Sequence, residues 1–162
     1  MPVAPQIANA AYSFHVNEKL LNDSAAGLTA DEWLRRPNDS SNHLLWIVGH
    51  ILWARGRVLH FLGIEWSSSW IDLFARGAKI VAPAQYPKPE VILLALQELS
   101  SRLKLELESA AGDTLSKPSP QGIPSADGKV SGLVNFFAHH ETYHVGQAAY
   151  LRSWLGHGGV RG

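Results

Sequence analysis

The amino-acid sequence predicts an all-α fold: a four-helix bundle whose long connections carry short helices. Apolar residues recur at helical spacing in four long segments, and those segments are bounded by residues that start and stop helices. No alternating stretch is long enough to make a strand. With 162 residues, 46% of them hydrophobic, the chain is read as one domain over 1–162, long enough to bury a core.

The first helix is expected from about Pro5 to Leu21, where Ile7, Ala11, Phe14 and Leu21 fall on one face and Pro5 suits the first turn. Thr29-Ala30-Asp31-Glu32 spells a capping box and opens a short helix that Pro37 must close. Asn38-Asp39-Ser40-Ser41 offers N-caps for a second long helix from about Ser41 to Leu62, stopped by Gly63. A loop rich in Trp and Ser follows, with a short helix expected around Trp70 to Arg76. Pro87-Lys88-Pro89-Glu90 starts the third long helix, whose stripe is Ile92, Leu96, Leu99 and Leu103 and whose stop is Gly112. Ser116 to Gly128, with three prolines and two glycines, is a long connection. The last helix is expected over Leu133 to Leu155, before Gly156. Two extended connections leave room for a bundle that is not simply up-and-down.

Fourteen basic residues balance fourteen acidic ones, and the longest basic run is Arg35-Arg36. Nucleic acid and acidic membranes are therefore not expected partners. The most apolar run, Leu44 to Ala54, is interrupted by His50 and closed by Arg55, far short of a membrane span. The start, MPVAPQIANAAY, lacks the basic head and apolar centre of a signal peptide, which points to the cytoplasm. There is no cysteine, so neither a disulfide nor a thiolate ligand or nucleophile can come from this chain.

Chemistry concentrates in the histidines. His140 and His144 are four residues apart, about 40° around a helix and about 6 Å along it, so both imidazoles can face one ion. Spacing alone is weak, since eight histidines placed at random in 162 residues give about 0.4 such pairs. Position adds weight: the pair lies near the middle of the last helix, and His50 lies near the middle of the second. Three imidazoles at mid-height would hold a divalent ion and leave a coordination position open for water or substrate. His50 also sits within an apolar run, where each ring nitrogen needs a partner. A core histidine bonded to a backbone carbonyl is the alternative for His50 alone; the three together favour a metal.

The segments IVGHILWARGRVLHFLG and NFFAHHETYHVGQAAYLRSWLG resemble the DinB-like (YfiT-like) superfamily of metal-dependent proteins. Its last helix carries His-x-x-x-His-x-Gly-Gln, matched by His140, His144, Gly146 and Gln147. Its second helix carries Gly-His, matched by Gly49-His50. The resemblance covers about residues 8 to 156. It implies a four-helix bundle, often a homodimer, with a three-histidine site for nickel, zinc or a similar ion. Assigned members include transferases and isomerases that depend on low-molecular-weight thiols.

His140-Glu141-Thr142-Tyr143-His144 also spells the zinc-protease motif His-Glu-x-x-His. The extended form of that motif wants glycine at 147 and histidine at 150, where this chain has Gln147 and Tyr150. The thermolysin-like form wants a later glutamate, and no acid follows Glu141. Glu141 points about 100° away from His140 on a helix, toward a neighbouring helix or solvent. It is read either as an orienting partner for an imidazole or as a solvated charge.

Several neighbours are pocket candidates. Gln147, one turn past His144, would hydrogen-bond a bound ligand or tie the core to another helix. Tyr143 would donate to substrate or simply pack. His43, about 10 Å down the helix from His50, would line the pocket. His15 is read as a fourth ligand, an orienting residue or a core histidine. Arg55 and Arg57 would receive a substrate carboxylate, or sit where a helix C-terminus favours cations. Trp66 and Trp70 would cover the pocket mouth or a dimer contact. His60, His139 and His157 carry no evident chemistry.

Three functional readings follow. A metal at this site could activate an external thiol for transfer to a small electrophile. It could instead supply hydroxide for hydrolysis of a small ester or amide. The third reading is a non-catalytic, metal-stabilised stress-response module, favoured if a fourth protein ligand closes the shell.

Overall fold

A computed structural model describes residues 3–160. Six α-helices are present among these residues: α1 (Ala8–Ala25), α2 (Ala30–Leu34), α3 (Leu44–Phe61), α4 (Pro89–Ser109), α5 (Gly112–Leu115) and α6 (Val130–Trp154). Single 3₁₀ turns precede α1 at Pro5–Ile7 and punctuate the α3–α4 connection at Ile71–Phe74 and Pro83–Gln85. Among the described residues β-pairing is confined to one bridge, Pro118 with Lys129. No described helix is long and apolar enough to cross a membrane.

The local signals act where the residue chemistry says they should. Thr29 Oγ1 accepts from Glu32 N–H while Thr29 N–H donates to Glu32, so the capping box forms and α2 ends before Pro37. Gly63 and Gly156 take the left-handed conformation, at φ 90° each, and close α3 and α6 with paired backbone bonds to the last turn. The α4 stripe is buried as expected and continues to Leu107. Each of its leucines contributes roughly 1.5–3 kcal/mol by leaving water.

Several boundaries differ from expectation: α1 follows a 3₁₀ turn at Pro5–Ile7, so it starts at Ala8, and it runs on to Ala25 rather than Leu21. Asn38 Oδ1 accepts from Ser40 and Ser41, so the candidate caps are spent on their own turn. Helix α3 therefore starts three residues later, with His43 at the N-cap. Gly112 does not stop α4, which ends at Ser109; it opens α5 instead. Helix α6 starts at Val130 because Asp127 accepts from the Lys129 and Gly132 N–H groups and from Ser131 Oγ. These bonds hold the Asp127 pKa at about 2. Gly132 is required there, since a Cβ would overlap Asp127 and Ser125.

Polar contacts fix helix direction. Gln6 meets Asn135, Asn17 meets Thr142 and Ala26 meets Arg152, so α1 runs parallel to α6. By contrast, Arg55 meets Glu141 and Phe61 meets Phe137, so α3 runs antiparallel to α6. The bundle is thus not simply up-and-down. Its apolar core is one contiguous cluster from Ile7 to Leu151, with α3 nearly buried all round from Leu44 to Leu52.

Candidate metal centre

Helix α3 brings His50 to face α6, and the backbone around it explains how the ring is held. The imidazole is stacked between Trp46 on one side, 4.8 Å between centroids, and Trp53 on the other, at 5.4 Å. Its Nδ1 lies 2.7 Å from the carbonyl oxygen of Phe74. That carbonyl comes close because residue 49 is glycine: an added Cβ would overlap the Phe74 ring. The Gly49-His50 pair therefore has a physical basis, since the glycine admits the segment that orients the histidine.

On α6, His144 Nδ1 lies 2.8 Å from Gln147 Oε1, and Gln147 Nε2 donates to the Tyr143 hydroxyl. With Nδ1–H donating to an oxygen in both His50 and His144, each ring turns a bare Nε2 lone pair inward. His140 Nε2 lies 3.4 Å from His50 Nε2 and 3.2 Å from His144 Nε2. Neighbouring ligand atoms in a tetrahedral site with bonds of about 2.0–2.1 Å are about 3.3 Å apart. His140 Nδ1 is buried without a partner.

Three imidazoles so placed cannot satisfy one another. A single proton on His140 Nε2 is shared by two acceptors and leaves Nδ1 as a bare acceptor; a proton on Nδ1 leaves three lone pairs converging. A divalent cation resolves the conflict, and the residues fit one. The histidines are also held neutral, as ligands must be. Burial lowers all three pKa values, His140 to about 4 with help from His144, His50 and Arg76. Among the described residues these three are the set able to share an ion, and no fourth histidine, aspartate or glutamate joins them.

A cavity of about 370 Å³ adjoins His50 and His140. Trp53, Phe136, Phe137, Ile123 and Pro124 form its apolar walls, and Arg57 and Arg76 line it as well. The other candidates stand elsewhere. His43, expected to line the pocket, instead caps α3: its Nδ1 accepts from Trp46 N–H, and its ring meets the edge of Tyr86. Gln147 holds a ligand imidazole in place and Tyr143, 62% exposed, backs it from solvent; neither lines this cavity. His15 is exposed on α1 and is neither a core residue nor part of the triad.

Glu141 is neither solvated nor bonded to an imidazole. It is 1% exposed and takes Arg55 Nε and Nη2 at 2.7 and 2.8 Å. Arg55 also donates to Ser100 Oγ and to the Phe14 carbonyl. Burial alone would lower the Arg55 pKa, but the Glu141 charge and hydrogen bonds outweigh it and hold the guanidinium protonated. Sequence reasoning missed the Phe74 carbonyl, the indole sandwich and Arg76. Only the sandwich left a trace, in the spacing Trp46, His50, Trp53. Nothing near Gly146 requires a glycine.

The solved structure of YfiT from Bacillus subtilis, described as a probable metal-dependent hydrolase with an unusual four-helix bundle topology, has a similar fold. The TM-score is 0.61 at 14% identity, covering 91% of this chain and 86% of that one. No curated protein matches the chain. The sequence profile of the DinB superfamily matches residues 13–148. By that match over most of its length, and with the helical fold and histidine triad just described, the chain belongs to the DinB superfamily.

Proposed function

We propose that His50, His140 and His144 bind one divalent cation, nickel or zinc, and that the protein transfers a low-molecular-weight thiol to a small electrophile. The observation that carries this reading is the convergence of three Nε2 atoms beside an apolar cavity, that of His140 lying 3.4 Å from His50 and 3.2 Å from His144. Such an ion, when bound, makes a thiol or water easier to deprotonate. The chain's own part is to present neutral imidazoles, fix their rings through Phe74 and Gln147, and exclude water with Trp53, Phe136 and Phe137. The thiol must come from outside, because the chain has no cysteine.

Thiol transfer is favoured over hydrolysis by the cavity's lack of a proton acceptor of its own. No Asp or Glu lines it, and Glu141 is locked to Arg55. A thiol, with a pKa near 8.5, needs less help to ionise than water. Hydrolysis of a small ester or amide is the second reading, favoured by the description of the YfiT structure. A cytoplasmic location suits a reduced thiol cosubstrate. A homodimer belongs to the same reading, supported by the exposed stripe Tyr143, Tyr150 and Trp154 on α6; sedimentation velocity tests it.

Metal analysis of the purified protein beside His50→Ala and His144→Ala tests the site. About one ion per chain is expected in the wild type and none in the variants, and equal metal in all three sinks the proposal. Turnover of an aryl halide that requires added thiol and disappears in His144→Ala supports transfer. Ester hydrolysis without thiol supports the second reading.

A further inference from the structure

The net charge of the chain is zero, yet the cavity beside the triad is not neutral. Its lining contains two guanidinium groups, Arg57 and Arg76, and no carboxylate. Among the described residues neither arginine has an ion-pair partner, whereas Arg55, two residues before Arg57, is fully paired with Glu141. Arg57 packs its guanidinium over the Phe61 ring, 4.8 Å from the centroid, which supports the group without neutralising it. Arg76 stands close enough for its charge to act on His140.

We propose that Arg57 and Arg76 form an anion-binding end to this cavity. Its ligand is then a small amphipathic anion, a carboxylate or phosphate ester on an apolar or aromatic body. This rests on the reading of the triad as the reacting end of the same cavity. Arg57 lies seven residues past His50, two turns or about 10 Å along the same face of α3. The ligand therefore carries its anion at one end and its reactive group at the other. Trp53 and Phe136 flank the path between them with apolar surface. A volume of about 370 Å³ is at the small end of small-molecule sites and suits a ligand of that size. Guanidinium forks match carboxylate and phosphate oxygens alike, so both head groups share this chemistry.

Two-dimensional NMR titration of the full chain with phenylacetate, phenyl phosphate and the neutral phenylacetamide tests the inference, with the Trp53 indole N–H as local reporter. The titrations are run on the metal-free protein and repeated with zinc, so that direct ligation of zinc by the anion is separated from the arginines. The anions are expected to bind at least about tenfold tighter than the amide in the metal-free protein. The preference should fall to near unity in R57Q/R76Q, with zinc content unchanged. The tighter of the two anions identifies the head group. Equal binding of anion and amide, absence of binding by any of the three, or a preference that survives in R57Q/R76Q overturns the proposal. Loss of zinc uptake alone, with the anion preference intact in the metal-free protein, sinks the metal reading and leaves the anion site standing.

Discussion

Two polar clusters bridge α3 and α6 little more than one turn apart, and they are completed differently. In the cluster of Arg55, Glu141 and Ser100 the guanidinium has four acceptor contacts and both carboxylate oxygens are used. In the cluster of His50, His140 and His144, acceptors face acceptors, and one buried nitrogen has no partner. The first cluster borders a cavity of about 440 Å³ between α1 and α4, yet its donors and acceptors are matched within the protein. The second borders the cavity of about 370 Å³ and presents converging lone pairs that fit a cation. Both cost desolvation to bury, so burial does not distinguish a structural polar group from a functional one. What distinguishes them is whether the protein alone supplies every partner.

The largest effect expected from breaking this contrast lies on the closed side. Glu141→Ala strands a buried guanidinium and should cost about 3–5 kcal/mol in urea denaturation. The folded fraction should still bind metal. A protease-type base at this position would give the opposite pattern, full stability with lost activity, and that result would restore the zinc-protease reading.

A third buried histidine sharpens the comparison. His43 has the donor that the triad lacks, since Trp46 N–H supplies its Nδ1 lone pair. Burial, aided by the Arg36 charge, holds its pKa at about 4. The unfolded value is about 6.5. The unfolded chain therefore binds the proton first, and the contribution of His43 is full above about pH 6.5 and lost as pH falls to about 4. His43→Asn keeps an N-cap that cannot titrate. In the metal-free protein it should reduce the loss of urea stability between pH 7 and pH 4 by on the order of 3 kcal/mol. An unchanged loss would mean that His43 does not titrate with folding.

The smallest effect concerns the orienting partners of the open cluster. Gln147→Ala and Gly49→Ala leave every ligand present but free one ring each. Metal affinity by competition with a chromogenic chelator should fall about 10–100-fold in each. Gln147→Glu, which keeps an acceptor for His144 Nδ1, should recover most of it. Full affinity in Gln147→Ala would remove the amide from the site.

Much of this was legible in the sequence. Helical periodicity placed all four long helices, and the mid-height positions of His50, His140 and His144 brought the triad together. The capping box at Thr29 and the stop at Gly63 were equally plain. Other features were not, because their signals compete. Asn38 has the chemistry of a cap for α3 but bonds its own following turn, so the helix starts later and His43 is the cap. Helical spacing allows Glu141 to face a neighbouring helix or solvent and Arg55 to face substrate or its helix terminus, whereas in the structure each is the other's partner.

By itself, then, the sequence determined the four long helices, the stops at Gly63 and Gly156 and the spacing of the paired ligands on α6, because these depend on residues within a turn or two. Only the tertiary structure decided that Arg55 turns inward while Arg57 turns to the cavity, and that a carbonyl from the loop at Phe74 orients His50. Those outcomes depend on which donors and acceptors from distant parts of the chain come within about 3 Å of one another. Local periodicity carries no information about such distances.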